Sequence, residues 1–337
     1  MRRILSVSVS KQLLACPVRS MSQSHGPKIG FIGLGHMGSK MVKNFADDGH
    51  SILVFDQSQD AINAVVHANE KHVKEASVTS IAQNCQIIFS MLPNDNVVEA
   101  VSRHILESSS NQSEYNKKIH VSCSTISPEI AKKLTRWHED RYYHFVSAPV
   151  FARPDGIARR EAIFMLSGNK DAKATVNKYL QLLGRVEDFG EETGAANVVK
   201  LCGNFLIAAS IEAIGESMAL AEKNGVDRHK VMALLSSTIF DCLIYRGYGQ
   251  RVSQRDHKPG GFSLELGYKD VTLVNKAARD VNVPMPFLST LIDRYTSAKA
   301  KGRENFDWSA IGLNVAEDAG IDVKADIQKN LDSLKKN

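Results

Sequence analysis

Lys28-Ile29-Gly30-Phe31-Ile32-Gly33-Leu34-Gly35-His36-Met37-Gly38 runs from a short strand-forming stretch straight into GxGxxG. Gly33 permits a tight turn, Gly35 lets a pyrophosphate approach the backbone, and Gly38 lets the following helix pack close to the strand. The free N–H groups and the dipole at the start of that helix attract phosphate. Asp56 closes the next strand-like run, 18 residues beyond Gly38, where an acid binds both ribose hydroxyls. The pattern predicts a dinucleotide site built from Gly33, Leu34, Gly35, His36, Met37, Gly38 and Asp56. A carboxylate repels a 2′-phosphate and Gln57 brings no positive charge, so NAD is expected ahead of NADP.

Outward from this turn, strand-like runs at residues 28–32, 51–55, 86–91 and 119–123 alternate with helical patterns. In the first helix Met37, Met41, Val42 and Phe45 mark the apolar face. Alternating β and α elements imply a parallel sheet covered on both sides. Near residues 190–194 the pattern changes to helices with almost no strand character. The expected fold is therefore α/β: a Rossmann-type doubly wound parallel sheet domain followed by an all-α domain, joined by a long interdomain helix. The expected boundaries are a leader and linker at 1–26, the sheet domain at 27–192 and the helical domain at 193–316. Residues 317–337 read as a charged tail, helical or frayed. Ser90-Met91-Leu92-Pro93 ends the third strand, so Met91, Leu92 and Pro93 would sit at the carboxyl edge of the sheet, where ligands bind in such folds.

The 337 residues are 43% apolar and 23% charged, which excludes a disordered or collagen-like chain. No uninterrupted run of 18 apolar residues occurs, so no transmembrane helix is expected. The five cysteines are far apart and form no CxxC, which speaks against a zinc knuckle, a redox dithiol or a disulfide framework. No metal site is expected. Of the net charge of +5, four charges come from Arg2, Arg3, Lys11 and Arg19 in the first twenty residues. The rest is nearly neutral and gives no electrostatic reason to invoke nucleic acid. Those twenty residues are Ser-rich, and the first acid of the chain is Asp47. This is the composition of a mitochondrial transit peptide, and the matrix is the expected location. A secretory signal needs a continuous apolar core, which Ser6, Ser8, Ser10 and Lys11 interrupt.

Residues 195–211 carry a single charge, Lys200. A helix so apolar around its circumference is buried on most sides, and an unpaired buried ammonium is costly. Asn204 lies one turn on, on the same face. Burial lowers a lysine's pKa towards the range useful for proton transfer, and an amide beside it can hold a hydroxyl or carbonyl oxygen. Lys200 and Asn204 are the expected catalytic pair; the plain alternative is a snorkelling lysine at the helix start. A second charged pair, Lys269-Asp270, reads on composition alone as a solvated ion pair.

Taken together these residues resemble the β-hydroxyacid dehydrogenase family, whose members include 3-hydroxyisobutyrate dehydrogenases and glyoxylate and succinic semialdehyde reductases. FIGLGHMG resembles its cofactor signature, and SMLP at residues 90–93 its second cofactor loop. Ser124-Thr125-Ile126-Ser127-Pro128 resembles its STxxP segment. Gly194, Lys200 and Asn204 resemble its GxxxKxxxN helix, and Lys269-Asp270 its late KD pair. Phe306-Asp307-Trp308-Ser309-Ala310 resembles the DFSAV ending of the glyoxylate-reductase branch. The resemblance spans residues 28–314. It implies hydride exchange between a nicotinamide and a small carboxylate bearing a hydroxyl or carbonyl group. Lys200 would serve as general acid or base, Ser124 and Thr125 would hold the carboxylate, and Thr125 and Lys269 would lie beside the cofactor. A homodimer or homotetramer is expected.

Two departures bear on the substrate. The family's APVSGG loop is Ala148-Pro149-Val150-Phe151-Ala152-Arg153 here, so a hydroxyl and two glycines are lost and a guanidinium is gained. Arg153 either replaces the missing carboxylate donors or points to solvent. Ser122 stands where the family has Asp in DxST. Two rival functions are an imine reductase and a non-catalytic scaffold with a dehydrogenase fold, and the presence of Lys200 argues against both.

Overall fold

The computed structural model describes residues 28–108, 117–259 and 261–335. The expected leader lies outside the described residues. Strands and helices alternate through β1 (Ile29–Ile32), α1 (Gly38–Asp47), β2 (Ile52–Phe55), α2 (Gln59–Ala68), β3 (Val73–Glu75) and α3 (Val78–Asn84). They continue through β4 (Ile87–Ser90), α4 (Asp95–Glu107), β5 (Lys118–Ser122), α5 (Pro128–Glu139) and β6 (Tyr143–Ser147). The side chains of Ser58, Ser77, Asn94 and Ser127 each accept the N–H three residues on and so start α2, α3, α4 and α5. Each such cap stabilises its helix by about 1 kcal/mol. Met41, Val42 and Phe45 press α1 onto the sheet, with the Phe45 ring 5.2 Å from that of Phe89. Each fully buried aromatic of this kind contributes roughly 1.5–3 kcal/mol.

The strand order is β3-β2-β1-β4-β5-β6, all parallel. Chain direction along the sheet reverses between β1 and β4, which opens a crevice at their carboxyl ends. Beyond β6 the sheet departs from the expected parallel pattern. After β6 comes the two-residue link Ala148-Pro149 instead of a crossover helix, then β7 (Val150–Phe151) and α6 (Pro154–Ala158). β8 (Ala162–Gly168) consequently runs antiparallel to both β6 and β7. After α7 (Lys170–Leu180), β9 (Gly184–Asp188) pairs parallel with β8.

Gly194, at φ +104, then turns the chain into α8 (Ala195–Lys223). A Cβ there would meet the Pro128 carbonyl oxygen at 3.1 Å. The helical domain continues with α9 (Arg228–Ser237), α10 (Gln250–Gln254), α11 (Leu264–Asp280), α12 (Pro286–Ala300), α13 (Ile311–Asp318) and α14 (Lys324–Leu334). By length and composition α8 would pass for a membrane span, with a mean hydropathy of 1.5 over its most apolar window. It packs instead against α11, α12 and α13, and its buried stripe carries the polar residues Lys200, Asn204 and Glu212. Within the charged C-terminal stretch, α14 is docked: Asn330 is fully buried, accepts the His257 N–H and donates to the Arg255 carbonyl.

Candidate active site

At the β1 end of the crevice the three glycines behave differently. Gly33 sits at φ +98, and a Cβ on it would lie 2.3 Å from the Met91 carbonyl oxygen. A Cβ on Gly38 would lie 2.0 Å from the Gly33 carbonyl oxygen. Gly35 meets nothing within 4 Å, so its backbone faces open space. This is a cradle that fits a nucleotide pyrophosphate: two glycines let backbone close on backbone, and the third leaves an open approach. Gly35 and His36 are exposed on the rim, Met37 is half-buried, and Leu34 is buried beneath. Asp56 accepts the Leu34 N–H at 2.6 Å with one oxygen and the Ser58 N–H at 2.8 Å with the other. The carboxylate is thereby fixed at the end of β2, where a ribose would lie.

The loops after β4 and β5 are stitched together. Leu92 N–H donates to the Ser124 hydroxyl oxygen at 2.7 Å. The Ser127 N–H and hydroxyl both donate to Asp95, at 3.0 and 2.7 Å. The STISP segment therefore holds the loop after β4 at Leu92 and at Asp95, while the Met91 N–H donates to the Ile32 carbonyl of β1. Lys269, from α11, reaches across to donate to the Thr125 carbonyl at 3.0 Å. A cleft of about 140 Å³ opens beside it, lined by Asn94, Asp95, Asn96, Lys269 and Leu273.

Lys200 and Asn204 are both buried on α8. Burial pushes the Lys200 ammonium down to about 8; the negative charge of Asp270 opposes the fall and the positive charge of Lys269 adds to it. The Asn204 side-chain amide donates to Asp270, which is 1% exposed, and Lys269 lies 3.1 Å from the same carboxylate. Asp270 thus ties Asn204 to Lys269 and sets the field at Lys200. Sequence reasoning passed over it, because a Lys-Asp pair on a helix reads as solvated; only the packing of α11 on α8 buries it. The position four residues before Lys200 is Ala196, whose N–H donates to Ser167; Gly194 lies two residues earlier and acts as the turn into the helix.

Arg153, in the loop after β7, is half-buried. Its side chain turns inward, but Nη1 donates to the buried Asp307 carboxylate and to the Tyr248 hydroxyl, each at 3.3 Å. The guanidinium therefore bridges the loop after β7 to the helical domain. Phe151 lies over α8, its ring centroid 4.3 Å from the Lys200 Nζ.

Residues 28–202 match the family described as the NAD binding domain of 6-phosphogluconate dehydrogenase. Residues 194–315 match the one described as the NAD-binding domain of NADP-dependent 3-hydroxyisobutyrate dehydrogenase. The chain belongs to the β-hydroxyacid dehydrogenase family. A Bacillus subtilis protein named as an uncharacterized oxidoreductase is 30% identical over 84% of this chain and 98% of its own length. The mitochondrial 3-hydroxyisobutyrate dehydrogenase of Drosophila melanogaster is 29% identical over 92% of this chain and 96% of its own. A solved Mycobacterium tuberculosis 3-hydroxyisobutyrate dehydrogenase with L-serine superposes with a TM-score of 0.76 at 24% identity, covering 86% of this chain and 99% of that one. As a β-hydroxyacid dehydrogenase, the chain is an NAD(P)-dependent oxidoreductase acting on CH–OH groups.

Proposed function

We propose that this dehydrogenase interconverts a small hydroxy acid or semialdehyde and its redox partner, with Lys200 as general acid and base and NAD as the preferred cofactor. The carrying observation is the buried Lys200, brought to about 8 beside Asn204 and the buried Asp270. A lysine with that pKa exchanges protons near neutral pH, which an ordinary exposed lysine does poorly. Gly33, Gly35, Gly38 and Asp56 would hold the dinucleotide, with Met91, Leu92, Pro93, Thr125 and Lys269 at its nicotinamide end. When bound, the nicotinamide supplies or accepts the hydride. In reduction Lys200 gives its proton to the carbonyl oxygen; in oxidation it takes the hydroxyl proton. Asn204, steadied by Asp270, orients that oxygen, and Ser124 and Thr125 border the substrate. Arg153 Nη1 donates to Asp307 and Tyr248, so a carboxylate contact would have to come from the rest of the guanidinium.

Turnover of NADH or NADPH with a panel of small semialdehydes and 2-oxo acids tests the reading, and turnover with none of them would remove it. Asp56→Asn should weaken NAD binding and narrow the preference over NADP, since the ribose acceptor charge and the repulsion of a 2′-phosphate go together. The check is the ratio of kcat/KM values for the two cofactors; a wild type that already favours NADPH refutes this role of Asp56.

The basic, Ser-rich first twenty residues support import into the mitochondrial matrix, with a mature start near residues 20–26. N-terminal sequencing of the protein from isolated organelles checks this, and an intact Met1 would count against it. Exposed Leu206 and Leu220 on α8, with Leu234, Ile239 and Leu243 nearby in sequence, support a homodimer or homotetramer.

A further inference from the structure

Phe151 is the residue of the Val150-Phe151-Ala152-Arg153 segment that lies beside Lys200, while Val150 and Ala152 pack into the core of the sheet domain. Val150 and Phe151 are laid in β7, opposite Phe164 and Ile163 of β8. From there the Phe151 ring crosses to α8 and rests on Gly203: a Cβ at that glycine would stand 2.2 Å from the ring's Cζ. The missing side chain at 203 is the berth that lets the ring lie against the catalytic helix. The ring in turn lies 4.3 Å from the Lys200 Nζ. Two residues on, the one cationic side chain of the segment is paired with Asp307. Val150, Phe151 and Ala152 carry no side-chain donor, and Arg153 donates to Asp307, a carboxylate that also lies 4.0 Å from Arg251.

This matters for an anion brought close to the reacting carbon. The face of an aromatic ring is electron-rich and repels a carboxylate. Lys269 is engaged by Asp270 and by the Thr125 carbonyl. A carboxylate on the carbon next to the carbonyl would then lie within reach of Lys200. It would compete with the carbonyl oxygen for the group that must deliver the proton. A hydrocarbon substituent has no such conflict and gains contact with the ring.

We propose that Phe151 sets the substrate class: the group next to the reacting carbon is uncharged and packs on the Phe151 ring, and any carboxylate lies at the far end of the molecule. The favoured substrates are then neutral aldehydes and semialdehydes with a distant acid, ahead of 2-oxo acids. This rests on Lys200 being the proton donor.

The test is reduction of propanal, succinic semialdehyde and glyoxylate by the full-length enzyme, with concentrations counted as free aldehyde. Wild type should show kcat/KM for propanal and succinic semialdehyde at least about tenfold above that for glyoxylate, the scale of a missing hydrogen bond to a charged group. Phe151→Ser, which removes the ring and adds a donor, should raise glyoxylate relative to propanal by a similar factor, mainly through KM. Phe151→Leu keeps an apolar wall and should keep the wild-type order. Wild type preferring glyoxylate, or Phe151→Ser leaving the ratio unchanged, overturns the proposal. If that happens while Lys200→Ala still abolishes turnover, only the role of Phe151 falls. If none of the three aldehydes is reduced, this proposal falls, and the proposed function stands or falls with the wider panel of semialdehydes and 2-oxo acids. Should Phe151→Ser fail to fold, the wild-type order and that of Phe151→Leu still decide.

Discussion

Lys200→Ala should lower kcat by at least about 10²-fold, the lower end for loss of a general acid–base group, and leave the dissociation constant for NAD nearly unchanged. The split follows from geometry. Lys200 stands on α8 beside Phe151 and Asp270, whereas the glycine turn and Asp56 belong to the β1 and β2 ends of the sheet domain. Lys200→Arg should not restore activity, because a guanidinium does not give up its proton in the working pH range. Steady-state kinetics and calorimetric titration with NAD check both halves. Unchanged turnover with every accepted substrate would remove Lys200 from the chemistry.

Gly38→Ala and Gly35→Ala should separate stability from cofactor binding. A Cβ on Gly38 lies 2.0 Å from the Gly33 carbonyl oxygen and 3.1 Å from the Phe31 ring, so α1 must retreat from β1. Overpacking of this kind costs about 1–3 kcal/mol, and the displaced helix start also loses its aim at the pyrophosphate. A fall of several degrees in Tm and a loss of NAD affinity of at least about tenfold are expected. At Gly35 a Cβ meets no protein atom, so Gly35→Ala should melt close to wild type and still bind NAD poorly. Equal Tm and equal affinity for the two variants would contradict the assignment of the turn.

The parts of this molecule that sequence reveals are those dictated by local geometry or by cost. The positive φ of Gly33 and the approach of Gly38 to the Gly33 carbonyl act within eleven residues, and a lone charge in an apolar helix stands out wherever it occurs. Strand-like runs at 28–32, 51–55, 86–91 and 119–123 correspond to β1, β2, β4 and β5. The rest depends on partners distant in the chain. Arg153 meets Asp307, 154 residues away, so no pattern near the loop announces that contact. Asp270 gains its meaning from Asn204, 66 residues earlier. The antiparallel return of β8 follows from the short Ala148-Pro149 link, which carries no distinctive periodicity. Asn330 locks α14 to the backbone at Arg255 and His257, a contact invisible in a charged tail.

The central claim, that Lys200 exchanges the proton, is tested most directly by the pH dependence of kcat/KM in both directions on one enzyme. The free-enzyme pKa governs this parameter. Reduction needs the ammonium and oxidation needs the amine. With Lys200 at about 8, kcat/KM for reduction should fall as pH rises through that value, while kcat/KM for oxidation rises through it. Limbs that run in the same direction, or profiles that are flat through this range, would contradict the account.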